Sequence, residues 1–390
     1  MITRMLSIVL LALVYTITTA VADLMIVGID EKVTFESGIT YNLPDEGKDL
    51  VLVVDITNGE NPKITASIPL KNSIFGPPTN LIITPDEKLA LVANPVVWVE
   101  KDGQWGPSPD TMLHVISLEG TPRYIRSIKV GKQPSGMDLT PDGSLLLIAN
   151  RAEPSISVVA IEGTSVRLID TVTLEYPSDA VSMTPNGKRA LFTMRTENKV
   201  GILHIDGSKV TYDPAEDINV GIEPYNIAVS PKGDIALVNN IGQSGGNDGN
   251  TDTVCVIDLT AAHPHVIDWV AVGDGPEGLA ISPKGDLAIS VLINGSQSAE
   301  SNPNTAWAAH RNGAVAVLKI NGKKVTKIKE IEVGGGMPEG VVLSPDGRYI
   351  YVGNFLGDNV TILKVEGETV VDTGKELILP GSPASMRGLK

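Results

Sequence analysis

Two glutamates stand between a proline and a glycine, in Pro276-Glu277-Gly278 and Pro338-Glu339-Gly340. Asp179 follows Pro177-Ser178, and Tyr225-Asn226 follows Pro224. Arg151 and Arg195 each come directly after an apolar run, Leu145 to Asn150 and Ala190 to Met194. Carboxyl groups brought close together raise one another's pKa unless a cation compensates. A carboxyl poised near neutrality can act as a general acid or base. Glu277, Glu339, Arg151, Arg195 and the pair His310-Arg311 are therefore the candidate catalytic residues. Carboxylates are also hard ligands suited to calcium, which makes Asp179, Glu277 and Glu339 one candidate metal set. Asp248 and Asp252, in Gly245-Gly246-Asn247-Asp248-Gly249-Asn250-Thr251-Asp252, are another, although this run lacks the spacing and closing glutamate of an EF-hand. No nucleophile, base and orienting group can be traced along the chain.

These residues occupy equivalent places in an internal repeat. Its marker is a turn: Thr84-Pro85-Asp86-Glu87, Thr140-Pro141-Asp142-Gly143, Thr184-Pro185-Asn186-Gly187, Ser230-Pro231-Lys232-Gly233, Ser282-Pro283-Lys284-Gly285 and Ser344-Pro345-Asp346-Gly347. Proline presets φ at the second turn position and glycine relaxes the fourth. Around each turn lies a longer unit, fullest from Gly131, with strands expected near Met137–Leu139, Leu145–Asn150, Ile156–Ile161 and Val166–Leu174. Four antiparallel strands make one propeller blade. Runs such as Val158-Val159-Ala160-Ile161 are apolar on both faces, as strands covered by neighbouring blades must be.

The blade-opening proline recurs once more than the turn, at Pro78, Pro134, Pro177, Pro224, Pro276, Pro338 and Pro383. Residues 384–389 then read as a lone innermost strand. Met25 to Phe35, Leu50 to Ile56 and Ile64 to Leu70 read as three strands that lack one. Joined, the two ends give an all-β, seven-bladed propeller whose closure removes free sheet edges.

Tyr351-Val352-Gly353-Asn354, with Leu91-Val92-Ala93-Asn94 and Leu147-Ile148-Ala149-Asn150 as variants, resembles the motif of the YVTN-repeat propellers. These are related to lactonase-like propellers and to the propeller of nitrous oxide reductase. The resemblance spans residues 23–390 and implies the fold; the family hosts enzymes and binding scaffolds alike. Its lactonase-like and cycloisomerase members imply chemistry by a few charged channel residues. Cys-x-x-Cys-His, the signal for attached haem, is absent. The five histidines are too scattered for a copper cluster.

In a propeller the connection from second to third strand lies on the same face as the blade openings, here called the top. It is short in Asn150–Ile156, Met194–Val200 and Asn354–Val360, but long at residues 95–112, 241–253 and 293–314. Long loops on a rigid scaffold commonly carry recognition. Trp98, Trp105 and Trp307 lie in them, with Tyr225, Asn226 and Phe355 on the same face, as a candidate binding surface for a protein or small molecule.

Composition sets the remaining bounds. A formal net charge of −15 repels phosphate backbones and anionic lipid, arguing against nucleic acid. Arg4, the apolar run Met5–Ile17 and Ala20-Val21-Ala22 read as a signal peptide over residues 1–22, shorter than the roughly 20 apolar residues of a membrane helix. Residues 23–390 would then be a single exported domain, periplasmic or secreted and expected to be monomeric, without membrane insertion. The single cysteine, Cys255, excludes an internal disulfide and reads as a buried thiol. Three roles follow: a binding or scaffold protein first, a lactonase-like hydrolase or cycloisomerase second, an accessory of a periplasmic redox system third.

Overall fold

Each Ser/Thr-Pro turn reverses the chain through the same backbone bond, in most cases with a second bond to the Ser/Thr hydroxyl. In the computed structural model, which describes residues 23–36, 39–243, 248–296 and 312–389, the Gly143 amide donates to the Thr140 carbonyl at 2.8 Å and the Leu145 amide donates to Thr140 Oγ1 at 3.0 Å. Gly143 adopts φ +71°, where a side chain is disfavoured. A Cβ there would also come within 2.8 Å of Pro85 in the preceding turn. The bottom turns therefore nest one against the next around the ring.

Each turn links the first and second strands of one blade, and seven four-stranded antiparallel blades make a seven-bladed β-propeller. Blade three is representative: Pro134–Leu139, Leu145–Asn150, Ser155–Glu162 and Ser165–Thr173, from the axis outward. Apolar side chains pack across every blade boundary, as where Leu91 and Leu113 of blade two meet Met137 and Ile148 of blade three. Closure follows from the chain ends. Pro383–Gly388 pairs with Leu24–Ile29, pairing Val27 with Met386, and Leu50–Asp55 and Lys63–Pro69 complete blade one. Among the described residues no helix is long and apolar enough to cross a membrane.

The asparagine that ends a second strand has a physical cause. Asn150 Nδ2 donates to Ser155 Oγ at 2.8 Å and Ser157 Oγ at 3.1 Å, and Asn354 Nδ2 donates to Asn359 Oδ1 at 2.7 Å and Thr361 Oγ1 at 2.9 Å. Each amide ties the second strand to the third at the top rim. In blade five the same position, Asn240, donates to Cys255 Sγ at 3.0 Å, and burial raises that thiol's pKa.

Blade one departs from the expected strands. Leu24–Ile29 stops at Ile29, and Val33 and Phe35 belong instead to a separate hairpin, Val33–Glu36 with Ile39–Asn42. Residues 30–49 are thus a fourth long top insert, hidden in the sequence because Val33 and Phe35 follow the apolar run from Met25 closely enough to read as its continuation. Blade two carries the second: Leu89–Lys101 and Gln104–Ser117 continue past the sheet as one long hairpin.

Candidate functional site

A left-handed residue precedes several blade-opening prolines: Gln133 at φ 53°, Glu223 at 51° and Met337 at 50°. The inner strand then begins irregularly. Pro134 pairs with Asn150 but the next partner pair is Met137 with Ile148, and the same shift follows Pro224, Pro276 and Pro338. Two residues per blade thus leave the ladder at the top of the channel, namely Ser135-Gly136, Tyr225-Asn226, Glu277-Gly278 and Glu339-Gly340. In three of these pairs the second residue is a glycine against which the next blade packs closely, while blade five carries Asn226 there. A Cβ at Gly278 would lie 2.2 Å from the Glu339 carbonyl oxygen, and one at Gly136 2.7 Å from Ala180 Cα. The backbone groups freed by the shift are paired between blades, as where Asn239 Nδ2 donates to the Glu277 carbonyl at 3.0 Å.

The arrangement concentrates charge where water is scarce. Arg151 Nε donates to Asp179 Oδ1 at 2.6 Å, and its guanidinium lies 5.8 Å from the centre of the Tyr225 ring. Arg195 bridges Asp179 at 3.9 Å and Glu223 at 3.3 Å. A cavity of about 320 Å³ opens here, lined by Gln133, Arg151, Pro177, Asp179, Arg195 and Thr196. Glu339 and Tyr225 are buried beside it, and Glu277 is partly buried. Burial raises the Glu277 pKa to about 7, against the pull of Arg151 and Arg195. Burial and the neighbouring Glu277 push Glu339 well above the usual carboxylate range. Two raised carboxyl groups this close titrate together, so the pair holds on to protons well above the ordinary carboxylate range. In the matching places of other blades, Thr79 Oγ1, Ser135 Oγ, Ser178 Oγ and Asn226 Nδ2 are buried with no hydrogen-bond partner among the described residues.

The structure gathers Arg151, Asp179, Arg195, Tyr225, Glu277 and Glu339 at one mouth. Glu223 and Gly76, not singled out in the sequence, belong there too; a Cβ on Gly76 would lie 2.2 Å from Ser135 Oγ and 3.6 Å from Arg151. Glu223 was recognisable only once the fold set it beside Arg195. His310, Arg311 and Trp307 lie outside the described residues. Among the described residues the top-face aromatics are not an exposed patch. Trp98 is 6% exposed and Phe355 is fully buried. With Val33, Ile74, Val96, Met337 and Ala384 they form a small separate core, against which Phe75 and Trp105 pack. Trp98 Nε1 donates to the Leu43 carbonyl at 2.6 Å, so it pins the blade-two hairpin to the blade-one insert. Asn226 is also buried, in the channel wall.

The carboxylates considered for calcium are divided. Asp179 is committed to arginine, whereas Asp252 accepts the Gly275 amide at 3.0 Å and Asp248 the Asn250 amide at 2.9 Å. Burial and the nearby Asp274 and Asp248 raise Asp252 to about 6. Among the described residues no group of three or more His, Cys, Asp or Glu is arranged to hold a metal ion.

Comparison with known proteins adds the following. The family model of the choice-of-anchor I domain matches residues 32–241. No curated protein matches the sequence. Among solved structures, a Bacteroides fragilis protein described as a candidate 6-phosphogluconolactonase is 17% identical with a TM-score of 0.70, covering 96% of this chain and 99% of its own. The periplasmic gluconolactonase of Pseudomonas aeruginosa is 16% identical with a TM-score of 0.66, covering 95% and 99%. Hydrazine synthase of Kuenenia stuttgartiensis is 17% identical with a TM-score of 0.60, covering 81% and 90%. At such identities the likeness is one of fold.

Proposed function

Because the chain belongs to the choice-of-anchor I domain family, and propellers take their function from their side chains rather than their topology, we propose that it is an exported, lactonase-like hydrolase working at the top of its channel. The observation that carries this reading is the gathering of Arg151, Asp179, Arg195 and Tyr225 around one cavity, with Glu277 close enough to be influenced by both arginines and Glu339 by Glu277. The leader-like residues 1–22 support export. The fold shared with proteins described as lactonases agrees with the reading.

The chemistry follows from the protonation states. Ionised Glu277 takes a proton from water as the water oxygen attacks the ring carbonyl. Negative charge developing on the carbonyl oxygen is steadied by Arg151 or Arg195, which act more strongly in a site shielded from water. The ring C–O bond then breaks, and Glu339 supplies the proton that the departing alkoxide needs. A docking role for the top aromatics has less support, since Trp98 and Phe355 are spent on packing.

Hydrolysis of a panel of aldonolactones, followed by pH-stat and corrected for spontaneous opening, tests the reading. Activity should rise as pH passes about 7, where Glu277 ionises. Glu277→Gln should lower kcat/KM by about 10²–10⁴-fold with an unchanged circular dichroism spectrum. No hydrolysis above the spontaneous rate, or full activity in Glu277→Gln, would overturn it.

A further inference from the structure

The blade-one insert, residues 30–49, is fastened to the propeller by three charged side chains withdrawn from water together. The side chains of Lys32, Asp30 and Asp49 are 3%, 0% and 2% exposed. The Lys32 ammonium donates to Asp30 Oδ1 at 2.9 Å, to the Asn72 carbonyl at 2.8 Å and to Asp49 Oδ2. Both acids are fixed in place. Asp30 Oδ2 accepts the Ile74 amide at 3.0 Å, Asp49 Oδ1 accepts the Glu31 amide at 3.1 Å, and Asp49 Oδ2 accepts the Asn72 amide at 3.3 Å.

A buried ion pair is a poor fastener, because desolvation consumes most of what attraction supplies. This one is also unbalanced, with one ammonium facing two carboxylates. What the cluster does provide is an amine held against a carboxyl group in a dry site, with a second carboxylate touching the amine. Held reactants of this kind react as though at very high concentration. We propose that Lys32 and Asp49 condense to an intramolecular amide cross-link, with Asp30 carrying the protons.

The atoms and charges balance without a co-reactant. Asp30 takes a proton from the ammonium, which exchanges an ion pair for a neutral pair and so removes charge from a low-dielectric site. The freed Nζ electron pair attacks Asp49 Cγ, and the carbonyl electrons move onto Oδ1, where the Glu31 amide donates. Asp30 returns its proton to Oδ2, takes a second from the nitrogen and delivers that as well. The Cγ–Oδ2 bond breaks and water leaves. Nitrogen keeps one proton and Asp30 ends as the carboxylate it began as. The product removes both charges of the pair and closes the chain covalently around the hairpin.

The link is independent of the proposed hydrolysis and is read by mass. Folded protein is held at neutral pH, denatured and digested with trypsin, which cuts after Lys48 but not at an acylated Lys32. The expected product is a branched peptide joining Lys32 to the peptide that begins at Asp49, lighter than its two parts by one water. Asp49→Ala and Lys32→Arg should give linear peptides only, and Asp30→Asn should slow or abolish linkage. Linkage undiminished in Asp30→Asn would overturn the role of Asp30. Recovery from the wild type of linear peptides alone would overturn the cross-link itself, and that measurement decides the matter even where a variant fails to fold.

Discussion

At the residue scale, the proton on Glu277 links the channel mouth to stability. An unperturbed glutamate ionises near 4.5, whereas Glu277 keeps its proton to about 7. Between these values the unfolded chain has lost a proton that the folded chain retains, so this group's contribution to stability falls as pH rises through the window. Glu277→Gln cannot ionise. Its melting temperature relative to wild type should therefore climb from pH 4.5 to about 7 and level off above. A difference that stays flat across the window would show that Glu277 titrates normally. Arg151 and Arg195 hold the Glu277 pKa down, so Arg151→Met should move the activity midpoint to higher pH. The sequence made the gathering of these groups legible, because each occupies a set place in the repeat: after a blade-opening proline or after a second strand. It could not show Gly76 or Glu223, whose places depend on how the neighbouring blade sits.

At the scale of elements, the hairpins on the top face show what periodicity conceals. Val33 and Phe35 read as a continuation of the blade-one strand because an apolar alternation looks the same in a blade and in an insert. The packing of Trp98 was equally hidden, since its partners Leu43 and Phe75 come from other segments. The turns and the second strands, by contrast, are short-range structures dictated by Pro, Gly and Asn, and their sequence spacing is their geometry. Burial of Trp98 makes a specific demand. Trp98→Ala should cost about 3–5 kcal/mol, the usual loss for a buried aromatic, and should free both hairpins to early proteolysis. An exposed loop tryptophan would cost almost nothing. Cutting residues 95–112 back to a short connection should likewise lower the melting temperature, because it uncovers Val33, Ile74 and Phe355. A melting curve unchanged by both alterations would mean that the small top core contributes nothing.

At the scale of the molecule, the ring is held by the pairing of its two ends. Pro383–Gly388 is the innermost strand of blade one, bonded along Leu24–Ile29, and Met386 lies in the core between blades seven and one. It also reaches the other side, where the Met386 amide donates to the Pro78 carbonyl at 3.3 Å. Removing residues 383–390 thus does more than delete one strand. It bares the Leu24–Ile29 edge, opens the cores on both sides of blade one and leaves an unpaired strand available to another copy of the chain. Each blade is covered by its neighbours, so opening one boundary weakens the cover of the next, and the loss should spread around the ring. The truncated protein should therefore melt at a lower temperature over a broader range, and should associate through the bared edge, as read by calorimetry and light scattering. A truncated chain that stays monomeric and melts as the intact one does would show that blade one closes on three strands alone, and that the terminal strand is an accessory to the ring and not its lock.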